Sequence, residues 1–169
     1  ENLNETRNIT AFGGVGASAT GAAGTVFLKR GDQSHGDLIV DSNLTSSPTA
    51  IETQLTPIGY GVIQSLSADT LTLDGGVPLM PGALVGLSIN PNLEQNQLFR
   101  ISSNTADSIT VDVSGGTTLT DVAEAGDSYS GVYTFDNITI RRGGALQLAD
   151  RLVATDTVLV SEFGNLTHR

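Results

Sequence analysis

The side chains best suited to proton transfer near neutral pH are His35 and His168, and they stand at opposite ends of the chain. His35 lies in the polar stretch Asp32-Gln33-Ser34-His35-Gly36, where a Ser–His–Asp set can be drawn on paper. Residues of a single turn rarely reach one another with triad geometry. Two histidines so far apart make no zinc signature either. Paired carboxylates are the next chemistry to weigh, because polysaccharide-cleaving enzymes use them as acid and base or nucleophile. The candidates are Asp32, Asp37 and Asp41 early in the chain, Asp121, Glu124 and Asp127 in the middle, and Asp150 and Asp156 late. Asp37 and Asp41 flank an expected strand, while Asp150 and Asp156 fall at expected turns. Both placements suit solvated strand ends. Sugar-binding clefts usually carry aromatic platforms, and this chain has no Trp and three Tyr (Tyr60, Tyr129, Tyr133).

Calcium loops need alternating acidic oxygens closed by glycine. No such loop occurs, so an incidental ion would have to sit at Asp32/Asp37 or at Glu124/Asp127. Gly14-Val15-Gly16 echoes a phosphate-cradling loop, but no helical pattern and no P-loop Lys-Ser/Thr pair follow it. Asn-x-Ser/Thr triplets begin at Asn4, Asn8, Asn43, Asn137 and Asn165, little more than a composition rich in these residues produces by chance. No catalytic, cofactor-binding or metal-ligating residue is assigned, and the chain is expected not to be an enzyme.

The elements that would position these groups are short strands. The 169 residues suffice for one sizeable core, or for a core with a smaller module set into it. Charged residues make up 15%, against about 25% in ordinary soluble domains, and Gly, Thr, Ser and Asn fill the difference. Threonine stands well on a pleated surface, whereas long helices would want more Lys than the single Lys29. The fold class is therefore expected to be all-β. A net charge of −10 with scattered Arg residues speaks against nucleic acid as a partner. There is no Cys, and no apolar run long enough to insert in a membrane as a helix. The first residue is Glu1, from which a removed leader or a segment of a longer polypeptide is expected.

Along the chain, residues 11–24 are glycine- and alanine-rich. Strands are expected over 25–30 and 37–41, with Phe27 and Ile39 twelve residues apart, as in a hairpin or on adjacent sides of a coiled solenoid. Residues 42–57, with Ser46-Ser47-Pro48 and Thr56-Pro57, read as a boundary. Residues 58–131 alternate cleanly at Leu71/Leu73, Leu87/Ile89, Phe99/Ile101 and Ile109/Val111/Val113, with Asp74-Gly75-Gly76 and Asn90-Pro91 among the separators. This predicts a compact antiparallel barrel or sandwich, including a strand over 83–89 and one helical turn from Thr120 to Gly126. After Gly131 short strands return over 132–135, 138–140, 145–148, 152–154 and 157–160, broken at Asp136-Asn137, Gly143-Gly144, Asp150 and Asp156.

Two stretches carry a resemblance. Residues 21–29 with 36–41, and residues 135–140 with 143–146, resemble rungs in the right-handed parallel β-helix regions of large secreted or surface-displayed bacterial proteins. The resemblance implies β-helix rungs over 1–57 and 132–169, with 58–131 as an inserted antiparallel module. It also implies an extracellular or cell-surface setting and a structural or adhesive role, in an adhesin or fibre. Solenoid ends expose unpaired backbone groups, so self-association by end-to-end β stacking is expected, with surface glycans as further partners. A carbohydrate-binding or carbohydrate-cleaving β-helix domain, tailspike- or lyase-like, is the alternative.

Overall fold

A computed structural model describes residues 9–14, 21–43, 51–76 and 78–169. Among them are twelve strands and no α-helix, so the protein is all-β. The strands are β1 (Thr25–Leu28), β2 (Asp37–Asp41), β3 (Thr53–Gln54), β4 (Tyr60–Leu66), β5 (Thr70–Leu73), β6 (Ser88–Asn90), β7 (Phe99–Asn104), β8 (Ser108–Val111), β9 (Ser128–Arg141), β10 (Ala145–Leu148), β11 (Arg151–Val160) and β12 (Asn165–His168). Two compact units divide them. One takes Pro57–Tyr133 with Asp150–Leu152, and the other takes the remaining described residues, including Thr134–Ala149 and Val153–Arg169. The long strand β9 gives its first residues to the former and its last to the latter.

The unit built on Pro57–Tyr133 is antiparallel throughout. Pairings run from β9 to β4, β5, β8, β7 and β6, and β6 pairs with β9 again. Alternation sets which face is buried: Leu71, Ile101 and Ile109 are enclosed, while Thr70 and Thr110 pair across strands through their hydroxyls at 3.1 Å. Asp74 turns the chain through Gly75 and Gly76, whose φ of +65° and +110° no β-branched residue would tolerate. Two expectations fail here. Of residues 83–89 only Ser88 and Ile89 are in a strand, because 81–86 turn through Gly82 and Gly86 at positive φ. The helical turn is a 3-10 turn at Leu119–Asp121, shorter and earlier than 120–126. Asp121 accepts the Thr118 N–H at 2.7 Å, which makes Thr118 the capping residue in place of Thr120.

In the other unit β1 and β2 form an antiparallel pair, with Phe27 opposite Leu38, so the twelve-residue spacing is that of a hairpin. The pairings of β2 with β9 and of β10 with β3 and β12 are parallel. β2 lies beside β9, placing Leu38 by Ile138 and Val40 by Ile140. β10 lies between β3 and β12, placing Leu146 between Thr53 and Leu166, and Gln147 between Gln54 and Thr167. Such ladders bring together residues about a hundred positions apart with their side chains in columns. Gln147 accepts from Gln54 Nε2 at 2.9 Å, and Asn137 donates to Asp37 at 2.7 Å.

The sequence reading broke 132–140 at Asp136-Asn137 and 152–160 at Asp156, yet β9 and β11 run through both places. Asp136 accepts the Gly36 N–H just ahead of β2, and Asn137 donates to Asp37 of β2, so neither side chain turns its own backbone.

Candidate functional site

Asp37, Asp41, Asp127 and Asp150 each hold a local hydrogen-bonding position. Asp41, almost fully buried, accepts Arg141 Nε at 2.8 Å, Arg142 Nε at 2.8 Å and the Asn43 N–H at 2.9 Å. Burial pushes its pKa up, but the Arg142, Asn43 and Arg141 hydrogen bonds outweigh it and hold the carboxyl below its usual value. Asp37 is shared by Arg30, Gln33 and Asn137. Asp127 accepts the Glu124 N–H at 3.0 Å. Asp150, 2% exposed, accepts the N–H groups of Ile58 at 2.6 Å and Gly59 at 2.8 Å within the Pro57–Tyr133 unit. Among the described residues no three His, Asp or Glu side chains converge to hold a metal ion.

His35 is the one histidine with a carboxylate beside it, and the pair is a fastening. Asp136 accepts the Gly36 N–H at 2.8 Å, the His35 N–H at 3.1 Å and Thr155 Oγ1 at 3.0 Å, with His35 Nδ1 3.3 Å away. The Gly36 N–H is the largest of several causes that bring its pKa down to about 2. His168 stands exposed in β12, opposite Leu148. Val15 and Gly16 of the glycine turn, Ser46-Ser47-Pro48 of the expected boundary, and the triplet residues Asn4 and Asn8 lie outside the described residues. Asn43 holds a φ of +54°, Asn137 is bound to Asp37, and Asn165 begins β12.

The antiparallel unit carries an open groove of about 480 Å³ lined by Val85, Gly86, Arg100, Ser102, Asp112 and Ser114, among others. None of the three tyrosines lines it: Tyr129 and Tyr133 are buried, and Tyr60 stands exposed elsewhere. The groove therefore offers a sugar ring no aromatic platform.

What stands out chemically is a set of apolar columns in the unit that holds the parallel ladders. Ser161 N–H donates to Ile140 O at 3.0 Å, which sets β11 beside β9 with a register offset of twenty residues. That register continues the column of Phe27, Leu38 and Ile138 to Val158. Exposure along this column runs 55%, 2%, 0% and 51%. The neighbouring column runs from buried Val40 and Ile140 to Val160, which is 44% exposed, and Leu146 at 0% gives way to Leu166 at 37%. The same side-chain positions are thus dry inside the ladder and wet at its last level. Among the described residues no strand pairs with β12 beyond β10, or with β11 beyond β9.

The corner leading to this last level repeats. Gly144 N–H donates to Arg141 O at 3.0 Å, and Gly164 N–H donates to Ser161 O at 2.9 Å. A Cβ on Gly144 would fall 2.6 Å from Val40 O, and one on Gly164 would fall 2.6 Å from Ile140 O. The left-handed pair Arg142 and Gly143 recurs as Glu162 and Phe163. Phe163, at φ +65° and 91% exposed, is a bulky residue held where glycine serves the level before. The sequence reading expected rungs over 132–169 but did not find this twenty-residue repeat, although Gly144/Gly164 and Leu146/Leu166 already share the spacing.

No family model, curated protein or solved structure matches the chain.

Proposed function

We propose that this chain is a structural or adhesive module of an extracellular surface protein or fibre, and that it assembles by end-to-end β stacking. The observation that carries the proposal is the column Phe27–Leu38–Ile138–Val158, buried at its middle levels and open at both ends. An apolar column of this kind gains from each further level, because every exposed aliphatic side chain covered contributes about 1–3 kcal/mol. The added level also satisfies the free N–H and C=O groups of the edge strands. Parallel ladders, a twenty-residue offset and a corner built twice support reading this unit as β-helix rungs. The ring of antiparallel pairings supports reading Pro57–Tyr133 as a small inserted barrel. Local hydrogen-bonding roles for the buried carboxylates favour a non-catalytic role, and the acidic balance suits a partner other than nucleic acid.

Light scattering of the purified chain over a concentration series tests the reading. The expected result is a mass that rises through the micromolar range. A monodisperse monomer throughout that range contradicts it.

A further inference from the structure

We infer that Thr167 and Gln147 join in a self-formed ester bond, with Glu52 carrying the proton from one to the other. This is a modification site inside the ladder of β3, β10 and β12, and it does not depend on the assembly proposed above.

The register sets up the pair. β10 and β12 are parallel, and Gln147 lies directly beside Thr167. Residues so paired stand about 4.8 Å apart with their side chains on the same face. Glu52, just ahead of β3, reaches both side chains with one carboxylate. Its Oε1 accepts Thr167 Oγ1 at 3.0 Å, and its Oε2 accepts Gln147 Nε2. An ionised carboxylate only accepts hydrogen bonds, so the NH2 group of Gln147 has to face Glu52. The carbonyl Oε1 of Gln147 then faces Gln54 Nε2, which donates to it at 2.9 Å. Leu146 O offers the Thr167 hydroxyl a second acceptor at 3.4 Å, longer than the bond to Glu52.

Glu52 differs in this from Asp41 and Asp150, whose partners are guanidinium and backbone N–H groups with nothing to exchange. Here a hydroxyl nucleophile and an amide leaving group are bound to the two oxygens of one base, and a donor points at the carbonyl oxygen between them. These are the parts an acyl transfer requires.

The steps balance without any further reactant. Glu52 takes the Thr167 hydroxyl proton as Oγ1 forms a bond to Gln147 Cδ. The C=O electron pair moves onto Oε1, where the Gln54 N–H stabilises it. As that pair returns, the Cδ–Nε2 bond breaks, and Glu52 passes its proton to Nε2. Ammonia leaves, an ester joins Thr167 Oγ1 to Gln147 Cδ, and Glu52 is again a carboxylate. Holding the two groups in register supplies a high effective concentration, and release of ammonia to water carries the exchange forward. Gln147 is 8% exposed, which shields the ester from hydrolysis once it has formed. The link ties β12 covalently to β10, its one strand partner among the described residues.

Mass spectrometry of the purified chain tests this. The intact mass should fall short of the sum of the residues by one ammonia. Cleavage after arginine should yield residues 143–151 and 152–169 as a single joined species. Alkaline hydroxylamine, which cleaves esters and spares amides, should separate them. Thr167→Val removes the nucleophile and should restore the full mass, whereas Thr167→Ser keeps a hydroxyl and should keep the link. Glu52→Gln should slow linkage about a hundredfold, read as the joined fraction over days of incubation. Circular dichroism checks that each variant is folded. A folded parent chain of full mass, or an ammonia loss that persists in Thr167→Val, overturns the ester. Linkage that proceeds unchanged in Glu52→Gln overturns the role given to Glu52.

Discussion

Single residues in this protein act as fastenings between chain segments far apart in sequence. Asp136 shows how. Its carboxylate gathers the N–H groups of His35 and Gly36 and the Thr155 hydroxyl, and these hold its pKa at about 2 against an ordinary 3.8. The folded state thus prefers the ionised carboxylate more strongly than the unfolded chain does. The stability this confers is fully present above about pH 4 and is lost as pH falls from 3.8 towards 2. Asp41, also held below its usual value, adds to the loss as pH falls below 3.8. Urea unfolding between pH 2 and 5 should show a steeper acid loss for the parent chain than for Asp136→Asn. Equal slopes would remove Asp136 from the account. Little of this was legible in the sequence, where Asp136-Asn137 carries the composition of a turn. Only a partner strand a hundred positions away reveals what those side chains bind.

At the level of elements, legibility depended on where each strand finds its partner. The alternating pairs Leu71/Leu73, Phe99/Ile101 and Ile109/Val111 lie in strands as expected, because their partners are close in sequence and one face is buried. β3, two residues long, carries no pattern of its own and exists because β10 lies beside it. Asp150 shows the same dependence. It reads as a turn residue, yet it joins the Pro57–Tyr133 unit through the N–H groups of Ile58 and Gly59. Gly131 makes room there, since a Cβ at that position would fall 2.3 Å from Ile58 Cβ and 2.9 Å from Asp150 Oδ1. Asp150→Ala strands two N–H groups and should cost about 2–4 kcal/mol in denaturant unfolding. Burial, with the Asp150 charge second, lifts the Tyr133 phenol to about 12, so the same variant should also ionise Tyr133 at lower pH. A loss below about 0.5 kcal/mol would show that the clip is not what holds these segments.

Over the whole molecule, among the described residues, the pairings of one unit run round from β9 through β6 back to β9, while in the other β11 and β12 each pair with one strand and apolar columns end exposed. In the first, the turn chemistry and alternation of residues 58–131 already spoke for short antiparallel strands. In the second, the repeating corner keeps Gly144/Gly164 and Leu146/Leu166 and changes nearly everything else, so the sequence alone did not display the repeat. The central claim is that these edges are where the protein assembles. Hydrogen exchange measured by mass spectrometry at rising protein concentration tests it most directly. Peptides covering β1, β11 and β12 should gain protection as the mass rises, while β5 and β8, already paired on both sides, stay unchanged. Exchange at β11 and β12 that is independent of concentration would contradict the account.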